Sequence, residues 1–357
     1  MLHHLVLSVL LLLLCCHSSP LPSAEQGSSL KPRAGVLRSS VTSPWPAIEN
    51  TEEDYRIQYC FHTTGDKDID GKVAGWFALA IDLWKSPPVV VNAGRIFKFP
   101  IEYKKLSSCP SVSKTNPFLA VYVTDGDQVF TTLDYHDDKE HKMEIGREFL
   151  DIDTSDSKKL HKRVGRIAHE LGRNMGLPND NQVSSKEYEI DCRNVNGYAE
   201  MEARDKDKAD RACSDLSVAE ELGWKEAIQL APFTKRQIVS SPTGPWYWDY
   251  SKRKWNRRWD SRSIMVLSAT SYGRKSRLTK TRKNVMRMKI NHDPPPVNWY
   301  NGPSLYDLEA LLKFYHAGNA LNNLNGLVHQ AGFKDFWSME ECGEDPPKYA
   351  GNRGIGF

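Results

Sequence analysis

The sequence predicts an α+β fold, and three observations carry that reading. Residues 54–61, Asp-Tyr-Arg-Ile-Gln-Tyr-Cys-Phe, alternate apolar and polar side chains as a half-buried strand does. Residues 73–84 and 157–175 carry apolar residues at helical spacing. Two further apolar runs, 118–123 and 128–133, flank Asp125-Gly126-Asp127, a turn sequence suited to a hairpin. Strands concentrated early and helices later point to helices gathered against one sheet.

The elements follow in order from these patterns. Val73, Trp76, Phe77, Ala80, Leu83 and Trp84 form the first helical stripe, and Pro87 and Pro88 end it. Leu160, Val164, Ile167, Ala168 and Leu171 make the buried stripe of the second helix. A last helix is expected over residues 305–315, with Ser304 as its N-cap. The histidines at 136 and 141 sit in a run of charged residues that reads as a turn.

Of 357 residues, 39% are hydrophobic and 26% charged, enough apolar material for a substantial core. Residues 5–14 form an apolar run too short to span a bilayer and suited to a secretory signal, with cleavage expected near Ser18. No second long apolar run follows, so a secreted, extracellular protein without a membrane span is expected. Residues 19–50 are rich in Ser and Pro and read as a disordered or propeptide-like leader. The folded part is expected over 51–318, with a C-terminal extension over 319–357. Five cysteines remain after the signal: Cys60, Cys109, Cys192, Cys213 and Cys342. An exported chain with that number is expected to form two disulfides and leave one thiol over, and spacing alone leaves the connectivity open.

The chemistry concentrates at residues 169–180, His-Glu-Leu-Gly-Arg-Asn-Met-Gly-Leu-Pro-Asn-Asp. Two histidines four apart on a helix can share one metal ion, with a glutamate between them as general base and a third ligand beyond a glycine turn. Here His169 holds the first ligand position, Glu170 the general-base position and Gly176 the turn. Arg173 stands at the second ligand position and Asn179 at the third. A guanidinium has five donors, no acceptor and a permanent charge, so Arg173 puts a fixed cation where a second cation would bind. Arg173 is also placed to pair with Glu170 at i,i+3. Asp180, one residue past the third position, could only serve a rebuilt site.

This segment resembles the zinc helix of the metzincin proteases, and specifically their astacin-like members, in the secreted microbial branch. Ser263-Ile264-Met265 resembles the family's Met-turn, with Val266 and Leu267 where the family has His-Tyr. Pro178-Asn-Asp-Asn-Gln182 resembles Pro-His-Glu-His-Gln with both histidines replaced, and residues 188–198 resemble the segment after the zinc helix. The resemblance covers about residues 54–316. It implies a zincin/metzincin-like fold: a twisted mixed sheet and the motif helix in an upper lobe, an irregular lower lobe, and a cleft between them. It favours pairing of Cys192 with Cys213; Cys60 with Cys109 is the second choice, which leaves Cys342 over. It implies that Arg173, Gly176, Asn179, Asp180 and Met265 line the cleft, and that an edge strand over the cleft, for which 128–133 is the candidate, could pair with an extended peptide.

A second constellation is basic. Residues 252–289 hold 14 Lys and Arg against one acid, Asp260, while the whole chain is only +3. Lys252, Arg253, Lys254, Arg257 and Arg258 interleave with Trp255 and Trp259 and are candidates for an anionic polymer or lipid surface. A solvated basic loop explains the same residues. Nucleic acid is not expected, because no nucleic-acid motif accompanies the charge.

The function expected from the sequence is a pseudopeptidase with no cofactor, binding a peptide or protein in the old substrate cleft. The alternatives are an active zinc metalloendopeptidase with a non-standard ligand set, and a secreted polyanion-binding protein using residues 252–289.

Overall fold

A computed structural model describes residues 44–47, 55–86, 99–110, 117–133, 135, 141–183, 187–232, 246–249, 254–257, 263–276, 278–279, 281–289, 291–295 and 302–315. The expected signal, most of the expected leader, His136, Cys342 and the expected C-terminal extension lie outside them.

Strand β1 (Tyr55–Phe61) buries Tyr55, Ile57 and Tyr59 and turns Arg56 and Gln58 toward the other face, as its alternation requires. Helix α1 (Lys67–Lys85) starts before its apolar stripe because Asp66 caps it. The Asp66 carboxylate accepts from the amides of Asp68 and Ile69. Strands β2 (Ile101–Lys105), β3 (Phe118–Thr124), β4 (Val129–Thr131) and β5 (His141–Gly146) complete a five-stranded sheet ordered β2-β1-β3-β5-β4. Its first four strands are parallel and β4 runs antiparallel to β5, so the sheet is mixed.

The expected hairpin between β3 and β4 does not form, because β5 lies between the two strands. The turn is present but is stitched to the end of β5: the amide of Gly146 donates to the carbonyl of Gln128, and that of Glu148 to the carbonyl of Gly126, both at 2.8 Å. His141, read from sequence as part of a charged turn, begins this inner strand. His141, Met143 and Ile145 are its buried face, and Lys142 and Glu144 its outer one.

Short helix α2 (Arg147–Leu150) leads to α3 (Ser157–Asn174), which Asp156 caps through the amide of Lys159. Helices α1 and α3 pack against each other under the sheet, and the Trp84 indole donates to the carbonyl of Ala168 at 2.8 Å. Their stripes, the inner faces of β1 to β5 and residues 308–315 form one core.

After α4 (Asp180–Val183) and β6 (Tyr188–Ile190), a 3₁₀ turn at Cys192–Asn194 precedes four short helices: α5 (Tyr198–Arg204), α6 (Lys206–Arg211), α7 (Leu216–Leu222) and α8 (Lys225–Leu230). They build a second core with Leu267, Tyr272, Val285, Met286 and Met288. Strands β7 (Trp246–Asp249) and β8 (Lys254–Arg257) form an antiparallel pair, and β9 (Met286–Met288) pairs with β6. Among the described residues the disulfides are Cys192–Cys213, the pairing that the resemblance favoured, and Cys60–Cys109, the second choice. Helix α9 (Leu305–Phe314) starts with a reciprocal cap. The amide of Asp307 donates to Ser304 Oγ at 3.1 Å, and the amide of Ser304 to Asp307 Oδ2 at 2.8 Å.

The start of the folded part differs from what composition suggests. Trp45, which composition places in a disordered leader, is 1% exposed and belongs to the first core.

Candidate functional site

Helix α3 carries His169, Glu170 and Arg173 into the interior, where they are 0%, 0% and 2% exposed. His169 Nδ1 lies 2.8 Å from the carbonyl oxygen of Ile264, and Nε2 lies 3.0 Å from Asn179 Oδ1. Burial, and then the nearby guanidinium of Arg166, hold the imidazole's pKa well below its ordinary range, so His169 is neutral. A neutral imidazole has one N–H and here faces two oxygens, so only one of the two contacts can carry a proton.

Glu170 has the partner expected from sequence and a closer one that was missed. Arg173 Nε is 3.8 Å from Glu170 Oε2, while Arg166 Nη2 is 2.7 Å from Glu170 Oε1. Burial raises the Glu170 pKa, and the charges of Arg166 and Arg173 act against that rise. Arg166 was legible as an i,i+4 neighbour of Glu170. Its burial was not, because a lysine- and arginine-rich first half of α3 reads as a solvated face. Arg166 also donates to Tyr272 Oη at 2.7 Å and to the carbonyl of Val129 at 3.3 Å.

Three amide side chains close the opposite side. Asn179 Nδ2 donates to the carbonyl of Gln229, Asn181 Nδ2 to that of Leu230, and Gln182 Nε2 to that of Ile228, all at 2.9 Å. Gln182 donates also to the carbonyl of Ala231, and its Oε1 accepts from Arg173 Nη1 at 3.1 Å. The carbonyls at the end of α8 have no partner within their own helix, and these amides supply one. Arg173 thus sits behind Gln182, near the negative end of α8.

The remaining positions are structural supports. Asp180 accepts from Tyr188 Oη at 2.6 Å, so its carboxylate is engaged away from His169. Gly176 takes φ +102 at the end of α3, and a Cβ there would stand 2.5 Å from the Phe314 ring. Met265 packs on Gly172, where an added Cβ would meet its Sδ at 2.7 Å. Asp307 of α9 pins the Met265 turn: Ser263 Oγ donates to it at 2.6 Å and the amide of Ile264 at 2.9 Å. Nothing in the motif pointed to Asp307.

The residues that the resemblance placed along a cleft (Arg173, Gly176, Asn179, Asp180 and Met265) are therefore brought together, but all are buried. The amides of Asn179, Asn181 and Gln182 join them to the end of α8. The candidate edge strand does lie at the sheet edge, yet its outer side is engaged. Arg166 takes the carbonyl of Val129, and the amide of Thr131 acts on the Glu170 carboxylate.

These residues do not fit a catalytic zinc. Such an ion needs three protein donors and an open fourth position. The set offers one imidazole, whose Nε2 faces the Asn179 amide, and two arginines within the same buried network. Among the described residues, no three His, Cys, Asp or Glu side chains converge as a metal site would require.

The basic stretch is only partly described. Lys252, Arg253 and Arg258 lie outside the described residues, and Lys254 and Arg257 fall on β8. Further along, Lys275 pairs with Asp127 and Glu148, Arg282 with Asp127, and Arg287 with Glu189. Acids from other parts of the chain thus neutralise charges that looked free in sequence. A pocket beside the paired strands β6 and β9 is lined by residues that include Glu189, Asp191, Asn194, Arg287 and His292. Among the described residues, no helix is long and apolar enough to cross a membrane.

Neither a family model nor a curated protein matches the sequence. Among solved structures, the chain is similar to high choriolytic enzyme 1, a hatching-enzyme zinc protease from the medaka fish Oryzias latipes. The two are 14% identical with a TM-score of 0.43, over 78% of this chain and 96% of that one. It is also similar to myroilysin, again 14% identical, with a TM-score of 0.35 over the same shares.

Proposed function

We propose that this chain is a secreted, astacin-like pseudopeptidase with a zincin/metzincin-like fold, acting by binding a peptide or protein and not by hydrolysis. The observation that carries the reading is the buried ion-pair group Arg166–Glu170–Arg173, in which Glu170 and Arg173 hold the positions where the resemblance expects the base and a metal ligand. A general base works by accepting a proton from a water that a metal has acidified. Glu170 is instead bound between two cations, and no ligand set stands beside it among the described residues. The two disulfides support an oxidising, extracellular setting. With the ligand positions sealed, a partner meets the rim of the site and its surrounding surface.

The retention of His169 and Glu170 favours one competing reading, a metalloendopeptidase with a non-standard ligand set. One experiment separates the two. The protein is refolded with excess zinc, desalted, assayed for metal by mass spectrometry, and incubated with casein. The pseudopeptidase reading expects substoichiometric zinc and intact casein. One chelator-sensitive zinc per chain together with cleavage would overturn it.

A further inference from the structure

We infer that residues 44–47 are a retained strap of the folded domain, not the tail of a leader that maturation removes. Trp45 fills a place in the core beside β5 and the end of α3. Its indole N–H donates to the carbonyl of Asn174 at 2.8 Å, and its ring stands 4.7 Å from His141 and 5.5 Å from Tyr135. Asn174 is the last residue of α3, where a helix carbonyl has no partner of its own. Backbone contacts hold the strap just past the tryptophan as well. Ala47 forms an antiparallel bridge with Tyr55, and the amide of Arg56 donates to the carbonyl of Pro46 at 3.5 Å.

The place of this contact gives it a consequence for the site. Asn174 follows Arg173, whose guanidinium meets Gln182 and, through it, the end of α8. The Trp45 indole thus fixes the end of the helix from which Arg173 projects. Loss of the strap would expose an α3 carbonyl and empty an aromatic-sized hole beside β5. A boundary at residue 50, which composition alone suggests, cuts away a part of the core.

The test reads the chain's own N-terminus and two variants. The full chain is exported from a secretory host, and the folded monomer is analysed by intact mass and N-terminal peptide sequencing. Every folded species is expected to begin at or before Trp45. A folded, monodisperse species beginning after Trp45 would overturn the inference. Trp45→Ala is expected to lower Tm by about 10 °C, from the usual loss on truncating a buried aromatic in a domain of this size. Trp45→Phe keeps an aromatic ring and loses only the N–H, so it should fold even if Trp45→Ala does not. In Trp45→Phe, amide exchange at Met175, Gly176 and Leu177, which close the end of α3, should rise several-fold while β3 amides stay protected. Unchanged exchange there, with an unchanged Tm, would refute the strap.

Discussion

Arg166 and Glu170 lie one turn apart on α3 with 2.7 Å between Nη2 and Oε1, both sealed from solvent. The sequence directs attention to Arg173, because it occupies a ligand position. The geometry makes Arg166 the nearer counter-charge, with Arg173 Nε at 3.8 Å from the other carboxylate oxygen.

Breaking that pair from one side should be severe. Arg166→Met leaves a buried carboxylate with the more distant Arg173 as its counter-charge, and a loss of about 3–5 kcal/mol is expected. Arg173→Met should lose less, since its separation from Glu170 is 3.8 Å. Urea unfolding of both variants measures the order, and a larger loss for Arg173→Met would contradict it.

Rebuilding the ligands tests how far the site has moved. Arg173→His with Asn179→His places three imidazoles at the expected positions, and removes one cation. About one zinc per chain should then be retained after desalting, against little or none in the parent protein. A folded double variant that stays free of zinc would show that α8 and its amides block the site whatever residues line it.

The amides facing α8 predict a local effect. Gln182→Ala leaves two carbonyls, that of Ala231 buried and that of Ile228 partly so, without that donor, and removes the acceptor for Arg173. A stability loss of about 1–3 kcal/mol is expected from leaving buried polar groups unmatched. Exchange of the α8 amides should rise with it; the idea fails if stability and α8 exchange match the parent protein.

Asp127 sets an acid limit. Burial pushes its pKa up, but hydrogen bonds from Lys275 and the charge of Arg282 outweigh burial and leave it lowered. A carboxyl with a lowered folded pKa contributes stability above its unfolded value, about 4. That contribution disappears as pH falls through the folded value. Asp127→Asn should therefore be less stable than the parent at pH 7, with the difference narrowing below about pH 4. A constant difference across that range would remove the assignment. Because Asp127 is partly exposed, added salt should also shrink the effect.

Much of the architecture could be read in one dimension. Amphipathic spacing located α1, α3 and α9, and Asp66 explains why α1 starts earlier than its apolar stripe. The β5 segment was missed because its buried side chains, His141, Met143 and Ile145, alternate with charges inside a strongly polar run. The hairpin failed because turn chemistry specifies the turn and not which strand fills the space beside it. The Asp125–Asp127 turn is real, yet β5 supplies the partner for both flanking strands.

What the sequence by itself determined is the set of donors that the ligand positions offer. A permanent cation at position 173 cannot act as a zinc ligand in any fold, and position 179 carries an amide in place of an imidazole. Only the tertiary structure decided what surrounds them: Arg166 rather than Arg173 as the close partner of Glu170, the amides of Asn179, Asn181 and Gln182 on the end of α8, Asp307 beneath the Met265 turn, and Trp45 on the end of α3. The physical reason is that ligand chemistry belongs to single side chains and can be read from their identity. The satisfaction of buried charges and helix ends depends on which distant segments fold against them.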